Sequence, residues 1–250
     1  MWIDSAQLNM EVMGEGAAVL MAHGAGGEAG LWRELAARLA PHARAAALDL
    51  SGHGKSPRRA HAHTLDTYVR DILAAVDALG GPVVLAGHSM GGALAMCIAL
   101  EHPDAVRGLV LAATGARLRV LPALIQQFES PDPAAAVSMM SGAAFAPGAP
   151  PALVQEYAES LMRADPGVVV QDFRICDSFD IMPRLGQIRV PCLILCGDKD
   201  NLTPFKYSAY LHENIPGSEL AQLPGCGHML MLEAPCECAD RILGFVRSLG

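Results

Sequence analysis

Three residues far apart in the chain carry side chains that, brought together, can cleave a carbonyl compound by nucleophilic attack. Gly87-His88-Ser89-Met90-Gly91 follows the apolar run Val83 to Ala86 and opens a stretch of small residues beginning Met90-Gly91-Gly92. A serine on a sharp turn from strand to helix projects its hydroxyl outward in a strained conformation. Glycines two before and two after it relieve the crowding that larger side chains would cause. The helix start adds free N–H groups and positive potential where an oxyanion would form.

A serine hydroxyl is a weak nucleophile without a base, and a histidine base needs an acid to fix its orientation. His228 lies in Gly225-Cys226-Gly227-His228, beyond the expected strand Glu219 to Leu223. Asp200 lies in Gly197-Asp198-Lys199-Asp200-Asn201, beyond the run Val190 to Cys196, and Asp198 competes for the acid role. The spacing favours Asp200 without excluding Asp198. The remaining histidines offer less: His53, His61 and His63 sit in a polar loop, and His102 precedes Pro103. No further ligand at metal-site spacing accompanies His61 and His63.

The elements that must hold these groups follow from hydrophobic pattern. Short strand-like runs, most of them apolar, at Ala18 to Ala22, Ala45 to Leu50, Val83 to Ala86, Gly108 to Ala112, Val190 to Cys196 and Glu219 to Leu223 alternate with helical patterns. Those patterns fall near Leu31 to Ala40, Leu65 to Leu79, Met90 to Leu100, Lys206 to Asn214 and Pro235 to Leu249. Such alternation predicts an α/β fold with a mostly parallel central sheet flanked by helices. Parallel sheets place their sites beyond the C-terminal strand ends, which is where Ser89, Asp200 and His228 stand.

Between about Gly115 and Pro183 the alternation stops, and prolines punctuate short amphipathic pieces. The expected organisation is a core from residues 1–116 and 184–250 with a helical cap inserted at 117–183. Leu121, Leu124, Phe128, Met139, Met140, Phe145, Leu153, Phe173 and Phe179 are its apolar candidates for packing or for facing a cavity.

With 250 residues, 52% hydrophobic and 18% charged, the chain can bury a large core, and disordered or coiled-coil architectures are excluded. A formal net charge of −8 and the lack of a dense basic cluster argue against nucleic acid and anionic lipid as partners; Arg58 and Arg59 read as a solvated loop. No run approaches the length of a membrane span, and the N-terminal residues lack a signal-peptide pattern, so a cytoplasmic protein with reduced, buried thiols is expected from the seven cysteines.

Taken together, the chain resembles the α/β-hydrolase fold family over essentially its whole length. His23-Gly24-Ala25-Gly26-Gly27 is similar to the family's oxyanion loop, and the resemblance implies the backbone N–H groups of Ala25 and Met90 as oxyanion donors. Trp32 falls where many members carry a packing tryptophan. Asp49-Leu50-Ser51-Gly52-His53-Gly54-Lys55-Ser56 is similar to a structural segment of the family, and His228 to Pro235 resembles its passage into the last helix.

Serine at position 89 disfavours dehalogenase and epoxide-hydrolase members, which need aspartate there. A carrier-protein methyl esterase is similar in layout. However, Arg117, Arg119, Arg163 and Arg174 face eight acidic residues between 117 and 183, and this acidic cap argues against an acidic carrier protein.

Gly24-Ala25-Gly26-Gly27-Glu28-Ala29, with Asp49 after the next strand, also fits a dinucleotide-binding fingerprint. That NAD(P)-linked reading leaves Ser89, Asp200, His228 and the cap unexplained. Gly54-Lys55-Ser56 lacks the earlier glycine of a phosphate loop, because position 49 is aspartate. A receptor that keeps the pocket without turnover is a third class. The favoured expectation is a serine hydrolase acting on a small to medium apolar ester through an acyl-enzyme, needing no cofactor or metal. Carbon–carbon, thioester and lactone hydrolysis are open to the same triad.

Overall fold

The computed structural model describes residues 1–3 and 6–250. Eight strands form one sheet: β1 (Trp2–Ile3), β2 (Leu8–Met13), β3 (Ala18–Ala22), β4 (Arg44–Leu48), β5 (Val83–His88), β6 (Val106–Ala112), β7 (Cys192–Gly197) and β8 (Glu219–Leu223). Their order across the sheet is β1-β2-β4-β3-β5-β6-β7-β8. From β4 to β8 all neighbours are parallel, as the alternation predicts, whereas β2 pairs antiparallel with both β1 and β4.

Successive residues of the inner strands point to opposite faces, so each strand feeds two apolar layers. Val19, Met21, Ala45, Ala47, Val84 and Ala86 pack against α1 (Arg33–Leu39) and α10 (Pro235–Ser248) through Leu35, Leu39, Ile242 and Phe245. Leu20, Ala46, Leu48, Leu85 and Leu109 pack against α2 (Leu65–Leu79) and α3 (Met90–Glu101) through Ile72, Val76, Leu94 and Ile98. Thr64 caps α2 reciprocally with Thr67, and Gly80 at φ 93° ends it.

The chain runs from β3 to β4 on one side, then crosses back over β3 to β5 on the other. The loops leaving β3 and β5 therefore diverge and open a crevice at their C-terminal ends, the usual place for a site in such a sheet.

After β6 the chain leaves the sheet for α4 (Pro122–Phe128), α5 (Ala134–Ala144), α6 (Pro151–Arg163) and α7 (Pro166–Ser178), and returns into β7. Exit and re-entry lie side by side. Ile181 N donates to Ala116 O at 2.8 Å, Arg117 and Asp180 form an antiparallel bridge, and their side chains make an ion pair. Two further helices complete the fold: α8 (Phe205–Asn214) between β7 and β8, and α9 (Leu230–Glu233) before α10.

Candidate active site

Ser89 sits between the end of β5 and the first residue of α3 with φ 52° and ψ −114°, a region that a non-glycine residue rarely occupies and that costs about 1–3 kcal/mol. Its surroundings hold it there. Ser89 N donates to Ala112 O on β6 at 3.0 Å, and Thr114 Oγ1 donates to Ser89 O at 2.7 Å. The flanking glycines are sterically required: a Cβ on Gly87 would lie 2.2 Å from Gly91 O, and one on Gly91 would lie 2.3 Å from Ala22 O.

Of the two candidate acids, Asp200 is the one that reaches the histidine, with Oδ2 2.9 Å from His228 Nδ1. Its other contacts are all donors: Leu202 N at 2.8 Å and Thr203 N at 2.9 Å to Oδ1, and Thr203 Oγ1 at 2.7 Å to Oδ2. Burial opposes charge on this carboxyl, yet His228 and the Thr203 donors outweigh it and hold it well below the usual carboxylate range. Asp198 instead accepts from Gly225 N at 2.7 Å and pairs with Lys199 at 3.0 Å.

The His228 loop is fixed by groups that local pattern alone does not reveal. His228 N donates to Ala144 O at 2.8 Å, at the end of α5. Glu233 accepts from Gly227 N at 2.9 Å and from Ala146 N at 2.8 Å. His88, the residue before the serine, donates from Nε2 to His228 O at 3.0 Å. Burial and the neighbouring His228 push the His88 imidazole down to about 3, so it is neutral and presents one N–H.

Ser89 and His228 line one cavity of about 320 Å³ beneath the four helices, together with Leu124, Met140, Tyr157 and Phe173. Among the described residues, no hydrogen bond joins Ser89 Oγ to His228 Nε2; catalytic hydrogen bonds of this kind are often long before substrate binds. Of the apolar candidates in the insertion, Leu121, Leu124, Met140 and Phe173 face this cavity, whereas Phe128, Phe145 and Phe179 belong to the core. Tyr157 is a lining residue that sequence pattern did not single out. Burial pushes its phenol up to about 12.

The loop after β3 brings Ala25 to the same cavity. Among the described residues the N–H groups of Ala25 and Met90 have no acceptor, and Met90, as the first residue of α3, has none within its helix. His23, lowered to about 4 by burial and by His53, is neutral; its Nδ1 donates to Gly24 O at 2.8 Å and its Nε2 accepts from Leu50 N at 3.2 Å.

Asp49, the acid of the dinucleotide fingerprint, is buried and committed to Ala29 N at 2.6 Å, Asn9 Nδ2 at 2.8 Å and Lys55 N at 3.0 Å. The segment around it is structural, as the resemblance implies. Trp32 is buried with its ring edge-on to His88 at 6.4 Å.

His53 and His63 lie in a loop yet are 2% and 3% exposed, because α7 and α2 close over them. Three expectations need correction. Arg59 is not a solvated charge, since it pairs with the buried Asp71 at 2.5 Å. Cys236 is exposed, while the other six cysteines are buried; all seven are free. Met139, expected to pack or face the cavity, is 40% exposed and does neither, and Leu121 lines the cavity from its exposed rim.

A family model described as "Alpha/beta hydrolase family" matches residues 19–241. The pimeloyl-[acyl-carrier protein] methyl ester esterase of Neisseria meningitidis is 30% identical, over 84% of this chain and 85% of that one. Lipase LipV of Mycobacterium tuberculosis is 41% identical over 58% of each chain. The solved structure of an esterase from Exiguobacterium antarcticum superimposes with a TM-score of 0.90 at 26% identity, covering 96% of this chain and 95% of the other. The match in sequence and the match in fold agree, and the chain belongs to the alpha/beta hydrolase family.

Proposed function

We propose that the protein is a serine hydrolase of small carboxylic esters, with Ser89 as nucleophile, His228 as general base and Asp200 as the acid that orients it. The carrying observation is the buried Asp200–His228 pair at 2.9 Å, opening into the same apolar cavity as a serine held in strained backbone. His228 takes the Ser89 proton through Nε2 as Oγ attacks the ester carbonyl, because Asp200 accepts a hydrogen bond from Nδ1–H and so leaves Nε2 unprotonated. The Ala25 and Met90 amides receive the oxyanion, His228 returns its proton to the departing alcohol, and a water activated by the same imidazole hydrolyses the acyl-enzyme.

The helices between residues 117 and 183 act as a cap that encloses the acyl group. At about 320 Å³ the cavity is near the lower limit of ligand pockets, and Leu31, Leu124, Met140, Phe173 and Met229 give it an apolar wall beside polar groups such as Arg119 and Asn201, which suits a short to medium apolar acyl chain. The relative from Neisseria acts, by its name, on an ester carried by an acyl-carrier protein. Here the arginines of the insertion are engaged: Arg117 with Asp180, Arg163 with Glu28, Arg174 with Glu129, and Arg119 with the carbonyls of Leu118 and Asp177. That engagement favours a free small-molecule ester over one borne by an acidic protein.

A series of p-nitrophenyl esters of rising acyl length tests this reading. Turnover by the wild-type protein should peak at short or medium chains and fall by at least about 10⁴-fold in Ser89→Ala. Full activity in that variant would remove serine catalysis from consideration.

A further inference from the structure

Asp172, on α7 of the helical insertion, has 0% exposure, and each of its contacts is a donor. Oδ2 accepts from Gly26 N at 2.9 Å and lies 2.8 Å from His53 Nε2, and Oδ1 accepts from Tyr68 Oη at 2.6 Å. A buried carboxylate is costly unless its lone pairs are satisfied, and these three donors satisfy it. Burial disfavours the charge on either partner, but the mutual attraction of His53 and Asp172 prevails, raising the histidine and lowering the acid.

Gly26 is the residue after Ala25. It stands at φ 65°, and a Cβ there would lie 2.6 Å from Leu161 Cδ1 and 3.3 Å from Val169 Cγ2 of the insertion. Thus α6 and α7 press on this loop from outside while Asp172 takes its N–H. On the inner side His23 donates to Gly24 O, so the peptide groups on either side of Ala25 are both held.

We infer that Asp172 is a positioning residue for the oxyanion site: by binding Gly26 N it fixes the Ala25 N–H, and the site is complete only while the helical insertion is seated on the core. The inference rests on the proposed role of Ala25. It makes the insertion part of the catalytic geometry as well as the wall of the pocket. Without the Asp172 anchor, the loop keeps its place in sequence but not its aim, and misplacement of order 1 Å can cost as much as 10²-fold in rate.

The test compares wild type, Asp172→Ala and Asp172→Asn in p-nitrophenyl butyrate hydrolysis, in inhibition by an aryl trifluoromethyl ketone, and in thermal melting. The ketone forms a hemiketal whose oxyanion needs the same two amides. Asp172→Ala should lose at least 10-fold in kcat with KM within threefold of wild type, and should bind the ketone more weakly by a similar factor. Asp172→Asn keeps an acceptor oxygen but loses the charge, and its kcat should fall between the two.

A folded Asp172→Ala with wild-type kcat and ketone affinity, or with only a raised KM, would overturn the inference while leaving the serine mechanism intact. If Asp172→Ala gives no cooperative melt, Asp172→Asn decides: kcat below wild type with unchanged KM supports the inference, and unchanged kcat overturns it. A wild-type protein that neither hydrolyses the ester nor binds the ketone would instead remove the hydrolase reading, and this role with it.

Discussion

At Ser89 the backbone turns through φ 52°, and the hydroxyl enters a cavity it shares with His228. The residues proposed to do the chemistry were legible because each is marked locally, by paired glycines around Ser89 and by a strand end before Asp200 and His228. The choice between Asp198 and Asp200 was not, since both lie just beyond β7. The proposal of Asp200 rests on a turn in which its Oδ1 takes the N–H groups of Leu202 and Thr203, with Oδ2 2.9 Å from His228 Nδ1. Asp200→Asn should therefore cut kcat by about 10³-fold or more, while Asp198→Asn changes it by no more than about twofold. Steady-state kinetics on one ester checks both, and equal losses in the two variants would contradict the assignment. Asp172 gave no local signal, because its partners lie 146, 119 and 104 residues away in sequence.

Among the elements, the β5–α3 turn has the least tolerance. A methyl group on Gly87 would meet Gly91 O, Gly91 C and Gly92 N, all backbone atoms that cannot rotate away. Gly87→Ala is expected to destabilise the protein by at least about 2 kcal/mol and to abolish most activity, as read by denaturant melting and ester turnover. The inner parallel strands were readable from continuous apolar runs, which is how strands buried on both faces appear, whereas the edge strand β8 is mixed in polarity and partly exposed. The hairpin β1–β2 was not: β2 is a partly exposed antiparallel strand of mixed polarity, and β1 is two residues long. In the insertion, the prolines marked off short amphipathic pieces without giving their bounds. Pro122, Pro151 and Pro166 are the first residues of α4, α6 and α7, where a missing N–H costs nothing.

Across the whole molecule, the insertion touches both loops of the site, through Ala144 O to the His228 loop and through Asp172 to the loop after β3. Cavity and catalytic geometry are thus set together. Phe173→Ala enlarges the cavity without touching Ser89, so the preferred p-nitrophenyl ester should lengthen; an unchanged chain-length profile would place the acyl group elsewhere.

The buried histidines also set the pH response of the fold. His88 and His23 are depressed to about 3 and about 4, so the unfolded chain binds protons that the folded one does not as pH falls below the ordinary value of 6.5. Their stability is fully present above that value and is lost progressively below it. The raised His53 acts oppositely, its contribution being complete below pH 6.5 and lost as pH rises through its folded value. His63 is lowered as well, by burial and by His53, so with three histidines against one, melting at pH 5 should occur roughly 5–10 °C lower than at pH 7. A flat profile would show that these imidazoles are not held neutral.

The most direct test of the central claim is the intact mass of the protein after exposure to a fluorophosphonate, beside Ser89→Ala treated identically. A single adduct on the wild-type chain that is lost in the variant is the predicted result. Labelling of both proteins, or of neither, would contradict the assignment of Ser89 as the activated nucleophile.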